Sequence, residues 1–189
     1  MIRESIITTL SDDGSVHIAP MGVIWRDGTP VLAPFKPSRT LDNLRRHPFA
    51  VISHTDDVRI FAGCLTGRRD WPVVPAHGIR GVVLAGALSH QEIAVDSVEE
   101  DEIRPRFRCR IVHEAMHRAF QGFNRAQAAV IEGAILISRL DRLPPEKIDA
   151  EMNYLRIAIE KTAGPGEREA WGWLEERLAA FRAGERGQG

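Results

Sequence analysis

Two short stretches hold residue types that do chemistry. Residues 113–117 read HEAMH, the H-E-x-x-H spacing. On a helix this spacing puts His113 and His117 one turn apart on one face. Glu114 between them then suits a general base beside a zinc ion. Residues 36–40 read KPSRT. Here Lys36, Ser38, Arg39 and Thr40 stand where a strand pattern ending at Phe35 gives way to a helical one. A helix N-terminus offers backbone N–H groups and the positive end of a dipole. Hydroxyls and a guanidinium fork complete a phosphate cradle. The same residues also suit a capped helix with surface charges.

The metal reading of HEAMH lacks partners. A zinc site needs a third protein ligand. RAFQGF, which follows His117, supplies neither the glycine nor the histidine of the metzincin extension. Glu132 lies beyond GFN, whose glycine and asparagine read as a helix break. HEAMH also sits at the seam between a strand pattern and a helical one. With His113 on a strand, the two histidines are expected on different faces. The sequence therefore assigns no metal ligands. The plainer reading is two histidines at a helix start, partly exposed.

The elements that must position these residues follow from periodicity. ESIITTL is rich in β-branched residues and SDDGS marks a turn. VHIAPMGVIW is a second strand, RDGTP carries the Asp-Gly hairpin signal, and PVLAPF is a third strand. SRTLDNLRRH reads as a helix capped by Ser38, with Leu41 and Leu44 three apart and Pro48 as its stop. AVISHT returns to strand, with His54, Asp56 and Asp57 at its end, where Asp57 suits a turn. IRGVVLAGALSHQEI reads as one long strand whose two glycines suit bends. In RPRFRCRI, Arg104, Arg106, Arg108 and Arg110 alternate with Phe107, Cys109 and Ile111, a half-buried strand with a basic face. That face either pairs with the acidic SVEEDE before it or forms an anion site or subunit contact.

From about residue 116 the period becomes helical. FNRAQAAVIEGAILISRL reads as a buried helix. LPPEK opens another with a stripe of Ile148, Met152, Leu155 and Ile159, and AGPGE breaks it. Trp171, Leu174, Leu178 and Phe181 form a third stripe, for core or dimer packing. The closing ERGQG reads as frayed. The plan is α+β: a small barrel over residues 1–115, then a helical C-terminal extension over 116–185.

The 189 residues suffice for a real core, and 43% hydrophobic with 27% charged residues is ordinary for a globular chain. A net charge of -1 gives no global field for nucleic acid or an anionic membrane. No apolar run is long enough to span a bilayer, and MIRESIITTL does not read as a signal peptide. Cys64 and Cys109 are far apart and suit buried thiols in a reduced cytosol. The expected location is cytoplasmic.

Strand, Ser-Arg-Thr, short helix, His-Pro and strand resembles the FMN-binding split-barrel flavoproteins. Pyridoxamine phosphate oxidases carry a comparable unit with Ser-Arg-Lys, which grips the FMN phosphate. The resemblance implies that Ser38, Arg39 and Thr40 are phosphate ligands. Thr40 replaces the lysine, and Lys36 is the candidate to supply the missing charge. HIAPMGV, PSRTLDNL and FNRAQAAVIEGAILISRL, in that order, resemble the uncharacterised family called domain of unknown function 447. That likeness covers nearly the whole chain and implies a split barrel with added helices.

It also implies roles. Backbone of Ala19, Pro20, Met21 and Gly22 would lie against the flavin, with Gly22 permitting close approach; an ordinary strand with a glycine is the alternative. Asn124 and Arg125 would reach the phosphate or ribityl chain, in cis or from a second subunit, or simply cap a helix. The implied assembly is a homodimer with FMN at the interface. The implied activity is that of a flavin-dependent oxidoreductase of unknown substrate. A flavin carrier or sensor without turnover is the alternative, and a zinc hydrolase on HEAMH the lesser one. No acid–base residue for a particular substrate stands out.

Overall fold

The structure is a computed structural model that describes residues 1–184. The frayed end expected for ERGQG lies at residues 185–189, outside them. The chain forms two compact units: Met1–Thr55 with Asp70–Phe120, and Asp56–Arg69 with the chain from Gln121 on. The first holds the strands β1 (Ile2–Leu10), β2 (Val16–Arg26), β3 (Thr29–Leu32), β4 (Phe49–His54), β5 (Val73–Pro75), β6 (Val82–Leu84), β7 (Ser89–Glu99) and β8 (Arg106–Met116). It also holds the helix α1 (Arg39–Arg46). The second holds α2 (Arg59–Leu65), α3 (Arg125–Ile137), α4 (Pro145–Thr162) and α5 (Pro165–Arg182).

Six strands close an antiparallel barrel in the order β1-β2-β3-β8-β7-β4. The closure is the β1–β4 pairing of Ile6 with Ser53, Ile7 with Ile52 and Thr8 with Val51. At the β2–β3 turn Asp27 and Gly28 both take positive φ, 49° and 77°. That is the two-residue loop whose twist matches the strands it joins. Ile7, Val23, Leu32, Ile52, Ile93, Phe107 and Cys109 fill the barrel interior. Alternate residues of the strands therefore face outward. The helix α1 adds Leu41 and Leu44 to the same core; full burial of each contributes roughly 1.5–3 kcal/mol. Asn43 Nδ2 donates to Thr9 Oγ1 at 2.9 Å, a buried bond that ties α1 to β1.

The expected long strand over IRGVVLAGALSHQEI is two strands. β6 ends at Leu84, the chain turns through Gly86, and β7 begins at Ser89. The short β5–β6 hairpin stands apart from the barrel ladder. Arg104 lies outside β8: its Nε donates to the Ala33 carbonyl at 3.0 Å and its guanidinium sits 4.2 Å from the Phe35 ring centre. Within β8 the basic face meets acids, Arg106 with Glu99 at 3.2 Å and Arg110 with Asp96. Both cysteines are buried and neither is in a disulfide.

The helical unit packs around Ala126, Ala129, Val130, Ala134, Met152, Ile159, Trp171, Leu174 and Leu178. The expected stripes thus form a core, with Leu155 and Phe181 only partly buried beside it. Among the described residues no helix is long and apolar enough to cross a membrane. On α3, a Cβ at Gly133 would lie 2.9 Å from Trp171 Cζ3 and 3.2 Å from Leu174 Cδ1. Both neighbours are buried, so a side chain there overpacks the core. Gly172 on α5 has nothing within 4 Å of such a Cβ. Gly133→Val is expected to lower stability by about 1–3 kcal/mol in urea unfolding. Gly172→Ala should raise it by about 0.5–1 kcal/mol, because alanine restricts the unfolded chain more than glycine does.

Candidate functional site

The start of α1 meets one other piece of chain, the turn between β1 and β2. Ser38 is in extended conformation and its Oγ accepts from the Leu41 N–H at 3.3 Å, a regular N-cap. Arg39 follows as the first helical residue. Its Nε donates to Ser11 Oγ at 3.1 Å and its Nη2 to Ser15 Oγ at 2.8 Å. Those serines flank the SDDGS turn between β1 and β2, so turn and helix start make one polar cluster. Asp13, in the same turn, has its carboxyl held below the usual range by hydrogen bonds from Ser15.

The other expected phosphate ligands diverge. Thr40 is buried, on the side of α1 that carries Leu41 and Leu44. Lys36 is not brought to the cluster: its Nζ donates to the Asp101 carbonyl at 2.6 Å and faces Glu100 at 3.6 Å. Ser11 and Ser15 escaped the sequence reading. Their only signal was a pair of hydroxyls around a turn, and nothing in the sequence says which cation the turn meets.

Ala19, Pro20, Met21 and Gly22 lie in the middle of β2, paired with Ile7, Ile6, Ser5 and Glu4 of β1. Met21 packs on the barrel core. On its other side β2 pairs with β3 only through Ile24–Arg26. The edge of β2 along Ala19–Gly22 therefore carries main-chain N–H and C=O groups with no ladder partner among the described strands. The missing side chain of Gly22 has a local cause. A Cβ there would lie 2.8 Å from Ile2 Cγ2 and 3.2 Å from Glu4 Oε1.

Asn124 and Arg125 belong to the helical unit. Asn124 caps α3: its Oδ1 accepts from the Ala126 N–H at 2.8 Å and its Nδ2 donates to the Thr162 carbonyl at 3.2 Å. Arg125 heads that helix. Asp57 also serves that unit, accepting from the Arg59 backbone at 3.1 Å and pairing with its guanidinium at 2.7 Å.

The helix that a zinc-peptidase HEAMH requires is absent. Residues 113–116 continue β8, and Glu114 is exposed. The expectation that a strand would separate the two histidines fails as well. A strand repeats every two residues, so positions four apart share a side. The rings of His113 and His117 both lie close to His90, at centroid separations of 5.8 and 5.0 Å.

Comparison with known proteins now places the chain. The family model described as "Protein of unknown function (DUF447) N-terminal domain" matches residues 3–118, and its companion "Protein of unknown function (DUF447)" matches residues 124–176. The chain belongs to the DUF447 family. Among solved structures, an FMN-bound DUF447 protein from Methanosarcina mazei superposes with a TM-score of 0.81 at 18% identity. That match covers 94% of this chain and 95% of the other. The styrene monooxygenase flavin reductase of Pseudomonas putida S12 gives a TM-score of 0.52 at 14% identity, over 61% of this chain and 81% of that one. The 2-nitrobenzoate 2-nitroreductase of Pseudomonas fluorescens gives 0.52 at 18%, over 60% and 64%. At these identities the likeness establishes the fold, a flavin-reductase-like split barrel. No curated protein matches the chain.

One titratable group of this DUF447 barrel makes its stability depend on pH. His54, at the end of β4, lies 3.4 Å from Ser5 Oγ through Nδ1 and 2.9 Å from Gln91 Oε1 through Nε2. Burial holds its pKa below the ordinary histidine value, more than the Gln91 bond raises it. The unfolded chain then binds more protons below about pH 6.5. His54 contributes stability above that pH and loses it as pH falls through the folded value. The urea midpoint should fall between about pH 7 and pH 5, and less steeply in His54→Gln. Equal slopes would show that His54 titrates alike in the folded and unfolded chain.

Proposed function

We propose that this DUF447 protein binds FMN, with the phosphate at the start of α1, and acts as a flavin-dependent oxidoreductase. The observation that carries the reading is the Arg39 cluster: a guanidinium held by two hydroxyls at a helix N-terminus. This donor set suits a phosphate dianion. The family supports it, since its Methanosarcina mazei member is an FMN-bound protein. Two of the fold neighbours are a flavin reductase and a nitroreductase.

Each group then has a task. Arg39 meets the phosphate, while Ser11 and Ser15 fix its fork. The backbone N–H groups at the start of α1 face the same charge. The unpaired main-chain edge of β2 at Ala19–Gly22 offers hydrogen bonds to a flavin edge and so sets the ring's electron demand. Bound FMN supplies acceptance and donation of a hydride or of electrons. Ile111, Val112 and Met116 at the far end of β8 are apolar and exposed, Met116 at 80%. A second copy of the chain covering this face fits the homodimer reading.

The purified protein should be yellow, with releasable FMN, and should sediment as a dimer. Arg39→Ala should weaken FMN binding by about 2 kcal/mol, roughly thirtyfold, as for loss of a charge-assisted bond. Unchanged FMN affinity in that variant would remove the phosphate from this cluster. Bleaching of bound flavin by NADH or NADPH tests the oxidoreductase, and a flavin that no donor reduces would mark a carrier.

A further inference from the structure

The side of the barrel away from its core holds a second set of groups. Cross-strand registers place them in two neighbouring rows. Thr8, Val51, Glu92 and His113 form one row, and Ile6, Ser53, His90 and Ala115 the other. Directly opposed residues share a face. The flanking residues Ile7, Ile52 and Ile93 belong to the barrel core, so these rows point outward.

His113 reaches this face through an irregularity. Ile111 stands opposite Ile93 and His113 opposite Glu92, so Val112 is an extra residue in β8. In an unbroken strand Ile111 and His113 would share a side. The bulge turns His113 out beside Glu92, the way a bulge re-aims a side chain.

Glu92 is 0% exposed and His90 5% exposed. Both Glu92 oxygens are fixed by main chain. Oε1 accepts from the His77 N–H at 2.7 Å, and Oε2 from Gly78 at 2.6 Å and Ile79 at 3.1 Å. Gly78 leaves room for this approach: a Cβ there would lie 3.2 Å from Val112 Cγ1 and 3.4 Å from Glu92 Oε2. His90 Nε2 stands 3.3 Å from Glu92 Oε1, and its Nδ1 stands 2.8 Å from His117 Nε2. Beside His90, the fully buried Ser53 Oγ has no hydrogen-bond partner among the described residues.

We infer that His90, Glu92 and His113 form a binding site for a divalent transition-metal ion of the zinc class, with His117 as a positioning residue. One ligand atom from each of the three lies within 4.8 Å of the others. Two ligands at about 2.0–2.1 Å in a tetrahedron are about 3.3–3.4 Å apart. The His90–Glu92 pair already stands at that separation, 3.3 Å. Rotation of the half-buried His113 ring brings in the third ligand. Two imidazoles and a carboxylate suit zinc and leave a fourth position for water. A proton on His90 Nε2 and a metal ion at Nε2 are the two ways to join that nitrogen to the carboxylate. With metal at Nε2, the His90 Nδ1–H donates to His117, the outer contact that orients a ligating ring. No spacing rule around HEAMH points to these ligands, because only the β7–β8 pairing brings them to His113. The partners lie upstream, on β7.

The test is equilibrium dialysis of the full chain against zinc, with metal content measured after competition with a chelator. About one zinc per chain is expected. His113→Ala should weaken retention at least about a hundredfold and His117→Ala about ten- to a hundredfold, while His47→Ala, a histidine at the end of α1, changes nothing. Zinc should also raise the Tm of the unaltered chain but not of His113→Ala. No retained zinc, or equal retention in His113→Ala, overturns the site. Should His113→Ala fail to fold, cobalt on the unaltered chain decides. Intense visible bands of a four-coordinate ion support the site, and the weak spectrum of the hydrated ion overturns it.

Discussion

A carboxylate with no exposed surface governs one side of the barrel. Burying the Glu92 charge costs several kcal/mol unless hydrogen bonds replace its water. Burial alone would raise its pKa, yet the bonds from His77 and Gly78, with His90 next, outweigh burial and hold it below the usual range. Those amides come from the loop before β6, so the loop must lie on the β7–β8 ladder. The loop in turn seats the β5–β6 hairpin, whose Val82 carbonyl accepts from Thr8 on β1. The Val112 bulge and the small size of Gly78 follow from the same requirement.

The barrel's interior is almost wholly apolar, so polar chemistry is left to its margins. There are three: the start of α1, the unpaired stretch of β2, and the outward rows of β7 and β8. Each is held by backbone that the core has already fixed. The Asn43–Thr9 bond and the two leucines of α1 set where Arg39 sits. The β1 pairing sets where Ala19–Gly22 present their free edge. Precision at these places comes from the regular elements that carry the groups, Arg39 on α1, Ala19–Gly22 on β2, and His90, Glu92 and His113 on β7 and β8.

Much of this was legible in local patterns. The Asp-Gly turn, the Ser38 cap and the helical stripes from Ile148 to Leu178 are short-range signals with short-range causes. What failed was long-range. HEAMH read as helical because H-E-x-x-H is a helical rule, and no local feature announces that Val112 is a bulge. IRGVVLAGALSHQEI read as one strand because its apolar run is continuous; the turn at Gly86 follows from the hairpin leaving the barrel ladder. The helix α2 has Val58 at its N-cap, which gives no side-chain cap, so the usual start signal is missing at that position. Lys36 and Thr40 stand beside Arg39 in sequence, but adjacent residues at a loop-to-helix junction point to different neighbours.

The same distinction explains why Arg39 is the residue on which phosphate binding rests. An arginine on an open surface loses rotamer freedom when it grips an anion. Here Nε and one Nη2 hydrogen are already directed to Ser11 and Ser15, respectively, so the plane of the fork is set before any ligand arrives. The Nη1 hydrogens and the second Nη2 hydrogen remain as donors from that plane. Lysine in its place would bring charge without a plane. The serines thus act on a ligand through the arginine, and their contribution lies in the order they impose before binding.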